Sequence, residues 1–231
     1  MQMSVAFQTP AAKSFRPAAM PQQDKPRTGL GSIGSVSLFD RNKTIFSEGE
    51  EASHVYKVVS GGVRLCKMMQ DGRRQIAEFA LPGDYFGLDW LGEHALTAEA
   101  LTDTATICYA RGRLDRLGDE DREVRTELYA TLRHDLWAAQ NHLVILGRQS
   151  ARERVASFLV QLIERRKSAD RSKLDVPMTR QDIADYLGLT IETVCRVLTA
   201  LKRDGIIDIP DRHTITVRNA PALRNACNCE Q

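Results

Sequence analysis

The sequence predicts an α+β chain: an amino-terminal β-barrel of jelly-roll type, one long helix, and a carboxy-terminal helix-turn-helix with a two-stranded wing. Three observations carry this. Between residues 32 and 113, short β-rich runs alternate with turns that bear glycine and proline. From Asp119 to Leu146, apolar residues recur at spacings of three and four. Between Met178 and Asp204, two amphipathic segments meet at a glycine, and each begins behind a threonine.

A chain of 231 residues suits two domains, since domains run about 100–200 residues. The apolar fraction of 42% is enough for a buried core. Net charge is only +2, but from Arg148 onward basic residues outnumber acidic ones 15 to 11. The positive bias therefore lies in the half that carries the helix-turn-helix. No run of about 18 apolar residues exists to span a membrane, and the first residues lack a signal-peptide core. The expectation is a cytoplasmic protein. Its cysteines, Cys66, Cys108, Cys195, Cys227 and Cys229, are odd in number and irregularly spaced. In a reducing compartment they are expected to be free thiols.

Residues 1–31 are rich in Pro, Gln, Ala, Ser and Lys without apolar periodicity, the composition of a disordered arm. The barrel is expected over 32–115. Strand signals fall at Thr44–Phe46, Val55–Val59, Val63–Met68, Gln75–Leu81 and Thr102–Ala110. Asp71-Gly72 suits a type I′ hairpin turn, because both central residues there need positive φ. Pro82-Gly83-Asp84 marks a further corner. Many short strands with glycine at the corners indicate a small barrel or jelly roll.

The long helix occupies 116–147. Asp119, Glu120 and Asp121 stand at its start, where they complement the positive end of the helix dipole. A helix of about 28 residues is about 42 Å long, more than one small domain needs. Its stripe of Leu128, Leu132, Leu136, Ala139, Leu143 and Leu146 forms a coiled-coil seam between two copies, or packs on its own barrel.

Residues 148–220 form the winged domain and 221–231 a flexible tail. A helix over Ala151–Lys167 and a polar connection to Asp175 lead into the motif. Thr179 caps the first helix with Asp182 three residues on. Ile183, Ala184 and Leu187 are its inner face, and Gly188 makes the sharp turn. Thr190 caps the second helix, which buries Val194, Val197, Leu198 and Leu201. Glu192, Thr193, Cys195, Arg196 and Thr199 remain outward. Glu192, Cys195 and Arg196 share one edge near the helix start, the part of a recognition helix that meets base edges. Arg offers guanine O6 and N7 a planar fork, and Glu accepts from cytosine N4. Taken alone, Glu192 and Arg196 also fit a plain surface ion pair. Thr179, Arg180, Thr190, Thr193, Thr199 and Arg212 are the candidates for contacts to the DNA backbone. Arg212, at the tip of a wing over 205–217, touches phosphate or is a solvated turn residue.

A barrel, a long helix and a winged helix-turn-helix in that order resemble the Crp/Fnr superfamily of bacterial transcription regulators, over about residues 32–217. The run Thr190–Leu198 looks most like the FixK-type branch. The resemblance implies a cyclic-nucleotide-binding-like barrel and a homodimer that binds double-stranded DNA at a TTGA–spacer–TCAA palindrome. It also implies contact with RNA polymerase and activation of genes for microaerobic respiration, nitrogen fixation or denitrification. The branch's base-reading Glu and Arg fall on Glu192 and Arg196, and its intervening small residue falls on Cys195. Ile191 precedes them; an apolar group there suits a thymine methyl. In cyclic-nucleotide receptors of this superfamily a Glu holds the ribose and an Arg-Ser pair the phosphate. Those positions fall here on Leu88 and on Leu96-Thr97, so the bidentate phosphate contact is lost. Iron–sulfur members group three cysteines near the amino terminus, and the first cysteine here is Cys66, too late and too isolated for a four-thiolate cluster. No cofactor and no metal is expected.

Cys195 sits beside Arg196 near a helix amino terminus, a setting that favours reaction with oxidants. Its oxidation would put negative charge against DNA phosphates. The plain alternative is a small residue chosen for close approach. No nucleophile–base pair and no metal motif points to an enzyme. The competing function is a ligand-gated receptor, the same reader controlled by a small molecule in the barrel.

Overall fold

The computed structural model describes Leu30 and residues 33–89, 92–165 and 172–227. The expected arm up to residue 29, and Cys229 in the tail, lie outside the described residues. The chain opens with β1 (Ser35–Phe39), β2 (Thr44–Phe46), β3 (His54–Ser60), β4 (Val63–Met68), β5 (Arg74–Ala80), β6 (Tyr85–Phe86), β7 (Thr97–Ala100) and β8 (Thr104–Ala110). They form two antiparallel sheets, ordered β1-β8-β3-β6 and β2-β7-β4-β5. Inward side chains meet between the sheets: Phe46, Val58, Leu65 and Phe86, with Tyr56 and Leu96 packed beside them. Alternation along each strand sends the neighbouring residues to the outer faces, and these are covered in part, Val36 and Leu38 of β1 remaining exposed.

One expectation about the turns fails. The β4–β5 hairpin closes from Met68 to Arg74, so its loop is longer than two residues. The Gly72 N–H donates to the Met69 carbonyl at 2.9 Å and Gly72 holds φ 82, whereas Asp71 has no positive φ. Asp71 instead accepts from the Arg73 N–H at 3.0 Å, a local bond that favours the longer turn.

Next come α1 (Arg111–Glu120), α2 (Arg122–Arg148) and α3 (Ala151–Arg165). The long helix is thus preceded by a separate one. Asp121 caps α2, accepting from the Glu123 N–H at 2.8 Å, while Asp119 and Glu120 close α1 rather than open α2. Leu114 of α1 and Leu128 of α2 pack with Val55, Tyr85 and Tyr109 on the outer face of the first sheet. Leu128 therefore packs partly on its own barrel. Leu146 is likewise engaged inside the chain, beside the later turn at Gly188. Between them Leu132 is half-buried, and Leu136, Ala139 and Leu143 stand exposed with Tyr129 alongside.

The last domain adds β9 (Lys173–Asp175), α4 (Arg180–Leu187), α5 (Ile191–Arg203), β10 (Ile207–Asp211), β11 (Thr214–Val217) and α6 (Ala220–Ala226). The expected polar connection contains β9, which pairs with β11 and makes the wing three-stranded. The expected flexible tail begins instead as α6, capped by Asn219, with Leu223 fully buried. The domain therefore reaches Cys227.

Its core, built from Val155, Leu159, Ile183, Leu187, Leu198 and Ile215, is continuous with Cys66, Ile76 and Phe79 on the outer face of the second sheet. Two arginines cross the same seam. Arg74 reaches Asp182 at 2.7 Å and Asp185 at 2.7 Å, and Arg64 reaches Asp182 at 3.1 Å and Glu99 at 2.8 Å. Arg154 pins the helix ends together, donating to the carbonyls of Leu146 (2.8 Å), Gln149 (2.9 Å) and Leu187 (2.9 Å). Those carbonyls have no partner within their own helices, so one guanidinium fixes α2 against α4.

Candidate nucleic-acid interface

The helix-turn-helix starts from a capping box built on Asp182. This nearly fully buried carboxylate accepts from the Thr179 N–H at 2.9 Å and the Thr179 hydroxyl at 2.6 Å, while Thr179 Oγ1 accepts from the Asp182 N–H at 3.1 Å. The capping box expected from the sequence is present and starts α4 at Arg180. Gly188 stops α4 at φ 61, a left-handed conformation that costs other residues energy. The Leu189 N–H then returns to the Ala184 carbonyl at 3.0 Å. Thr190 caps α5 by accepting from the Thr193 N–H at 3.3 Å. Val194, Leu198 and Leu201 are buried and Val197 is half-buried, which fixes the rotation of α5.

That rotation leaves Ile191, Glu192, Cys195, Arg196 and Thr199 exposed along one edge. Glu192 and Arg196 form no ion pair among the described residues. The Arg196 guanidinium instead donates to Thr193 Oγ1 at 3.3 Å. Bonds from its own backbone and from Thr190, with Arg196 nearby, hold the Glu192 carboxyl below the usual carboxylate range. Both charges are thus intact and turned toward solvent, with hydrogen-bonding capacity to spare.

The backbone-contact candidates divide. Thr179 spends its hydroxyl on Asp182, and Thr193 is half-buried against Thr190 and Arg196. Thr199 donates to the Cys195 carbonyl at 2.9 Å. Arg180 differs: it is half-buried, its Nη1 has no hydrogen-bond partner, and burial pushes its pKa down while Cys195 nearby opposes that. Arg212 is exposed on the β10–β11 tip, where the Asp211 carboxylate accepts from the His213 N–H at 2.8 Å. Ser150 and Arg152, the latter ion-paired with Asp204 at 2.8 Å, were not singled out from the sequence. They line a shallow groove with Thr193 and Arg196, where the amino terminus of α3 meets α5. The signal was the Ser150–Glu153 spacing, which caps α3 through the bond from the Ser150 N–H to Glu153 at 2.7 Å.

A family model of the Crp-like helix-turn-helix domain matches residues 153–226, and one of the cyclic nucleotide-binding domain matches residues 37–121. The nitrogen fixation regulation protein FixK of Azorhizobium caulinodans is 41% identical over 90% of this chain and 86% of its own. This chain belongs to the Crp/Fnr family, in its FixK-type branch. FixK of Rhizobium meliloti is 41% identical over 94% of the regulator and 99% of its own length. The solved structure of FixK2 from Bradyrhizobium japonicum has a TM-score of 0.81 and 39% identity, covering 86% of the regulator and 100% of that chain. As a Crp/Fnr-type protein the regulator is a DNA-binding transcription regulator, and α5 is the second helix of its helix-turn-helix.

The barrel of the regulator is closed by its own side chains. Phe46 stacks on His94 with ring centroids 3.5 Å apart, Tyr56 and Phe86 stack at 5.1 Å, and His94 Nδ1 lies 2.8 Å from Asp89 Oδ2. Leu88 packs with Tyr85 and Tyr109, Leu96 packs on the inter-sheet core, and Thr97 Oγ1 accepts from the Glu48 N–H at 3.0 Å. Burial raises the thiol pKa of both Cys66 and Cys108. No helix among the described residues is long and apolar enough to cross a membrane.

Proposed function

We propose that two copies of the regulator pair through α2 and bind a TTGA–spacer–TCAA palindrome. The bound dimer recruits RNA polymerase and activates genes of microaerobic, nitrogen-fixing or denitrifying metabolism. The observation that carries this reading is the α5 edge, where Glu192 and Arg196 are exposed and not paired to each other. In this reading Arg196 takes guanine, Glu192 takes cytosine, and Ile191 lies against a thymine methyl. Arg180, whose Nη1 has no partner, and the groove at Arg152 meet phosphates on either side. The stripe of exposed Leu136, Ala139 and Leu143, with half-buried Leu132 beside them, is the dimer seam. The names of relatives support the biological setting: FixK is called a nitrogen fixation regulation protein, and FnrL of Cereibacter sphaeroides a transcriptional activator protein. No cyclic nucleotide is required, since Leu88 and Leu96 place apolar groups where a nucleotide receptor places charge, and the cysteines, beginning at Cys66, are too scattered to hold a four-thiolate iron–sulfur cluster.

Exposed Cys195 makes this surface sensitive to oxidants. Two equivalents of peroxide, each reduced to water, carry the thiol through the sulfenic acid to a sulfinate, and the added charge beside Arg196 repels DNA phosphate.

Selection of bound duplexes from a random pool, with untreated protein and no added ligand, tests the reading. A palindrome is expected. Arg196→Ala is expected to cost about 1–3 kcal/mol and to relax one base-pair position. Uniform weakening across all sequences would make Arg196 a phosphate contact and sink the assignment. A requirement for an added small molecule would favour the ligand-gated receptor. Peroxide should abolish operator binding by the wild type and spare Cys195→Ser; equal loss in both refutes the switch.

A further inference from the structure

A cavity of about 280 Å³ lies outside the barrel interior, between the outer face of β5, one side of α2, and α3 and α4. Its walls combine two chemistries. Trp137, Phe158 and Tyr186 supply aromatic surface, and Glu78, Asp135 and Glu164 supply carboxylates. Among the described lining residues Arg165 is the one guanidinium. It is already committed, ion-paired to Asp84 and donating to the Phe79 carbonyl at 3.1 Å. Negative charge in the cavity is therefore in excess.

A second observation points the same way. His142 is only 8% exposed, yet neither of its ring nitrogens has a hydrogen-bond partner. It stacks on Tyr186 with ring centroids 4.0 Å apart and borders the cavity. Burial lowers its basicity, and a hydrogen-bonding interaction with the Tyr186 backbone opposes this.

The acids carry the mark of a missing counter-charge. Burial pushes Glu78 up to about 7, Asp135 and Asp84 add to this, and Arg165 opposes it. Asp135 is raised by burial and by Asp84, against His134 and Arg165. Crowded carboxylates of this kind destabilise the empty fold, and a bound cation would relieve them.

We propose that this cavity binds a small planar organic cation, an amidinium or guanidinium on an aromatic or apolar body, with Glu78 and Asp135 as counter-ions and Tyr186 and Phe158 as stacking walls. Carboxylates accept paired N–H donors from such a fork, and its flat face stacks on aromatic rings. His142 supplies the remaining polar contact. His134, Ala138 and His142 recur every four residues along α2, and Ala139 of the proposed seam also borders the cavity. Occupancy touches β5, α2 and Tyr186 of α4 together, so it joins the barrel to the reader whichever operator α5 selects.

Calorimetric titration of the full chain with benzamidine tests this. At about pH 8, saturable binding to one site per chain is expected, accompanied by a fluorescence change that Trp137→Phe removes. Neutral benzamide and anionic benzoate are expected to bind at least about tenfold more weakly. Glu78→Gln and Asp135→Asn should each cost benzamidine about tenfold, and Ala138→Phe, which fills the cavity, should abolish binding. Lowering the pH to about 6 protonates Glu78 and weakens wild-type binding. Benzamidine binding no tighter than benzamide overturns the proposal, as does affinity unchanged in both acid variants. Should those variants not fold, Glu164→Gln and the wild-type pH dependence decide by the same criteria.

Discussion

Replacing Asp182 by Ala removes one carboxylate that serves two structures at once. It completes the capping box of α4, and it receives Arg74 at 2.7 Å and Arg64 at 3.1 Å from the barrel. Loss of an N-terminal cap costs about 1 kcal/mol. Removing one partner of a buried ion pair costs about 3–5 kcal/mol when the remaining charge is left uncompensated. Here compensation is partial. The Arg64 and Arg74 side chains are 11% and 21% exposed, and Glu99 and Asp185 still face them. The ion-pair loss should therefore fall below that range, at about 2 kcal/mol, for a total of about 3 kcal/mol. Urea unfolding followed by far-ultraviolet circular dichroism measures it, with unchanged denaturant dependence as the control. A double-mutant cycle with Arg74→Met should return a coupling of about 1 kcal/mol or more. A total loss under about 1 kcal/mol, or no coupling, would refute the claim that the barrel and the reader are held together through Asp182.

Three further outcomes follow from other parts of the fold. Gly188→Ala keeps ordinary contacts, since an added Cβ meets Leu146 and Arg154 at 3.5 Å, but must hold φ 61. It should lose about 1 kcal/mol on thermal unfolding, and Gly188→Val more. Glu78→Gln should stabilise the chain at alkaline pH and leave it unchanged in acid. The folded protein raises this carboxyl from 4.5 to about 7, so it holds its proton more tightly than the unfolded chain, and stability falls as pH rises across that window. Melting profiles at about pH 5 and about pH 8 should thus diverge, by roughly 2 kcal/mol at the upper end. Leu136→Glu and Leu143→Glu place charge on side chains 61% and 70% exposed in the single chain. If these form the dimer seam, sedimentation should show monomers with the fold intact; an unchanged dimer would move the interface elsewhere.

The recognition helix was legible residue by residue, because its determinants are local. Thr179, Asp182, Gly188 and Thr190 act within one turn of themselves, through caps and a positive φ that depend on nothing distant. The barrel was legible as a class, but its short strands were not. β7 in the barrel and β9 in the wing are too brief to show a period, and each exists because a neighbouring strand, β4 or β11, supplies its hydrogen bonds. The stripe on α2 shows the limit of periodicity. Spacing places Leu128 and Leu146 with Leu136 and Leu143, yet the barrel covers the first and the Gly188 turn meets the second.

By itself the sequence determined an exposed edge bearing Glu192 and Arg196 on a capped helix, since helix geometry and a buried face leave them no other direction. Only the tertiary structure decided that Arg64 and Arg74 close on Asp182, that Arg154 ties three helix-end carbonyls, and that Glu78, Asp135 and His142 border one cavity. Arg154 and Leu187 are 33 residues apart, and Asp182 lies 108 and 118 residues from Arg74 and Arg64. Charge and burial act through space, and no local pattern encodes which distant side chains the fold will bring within a few ångströms.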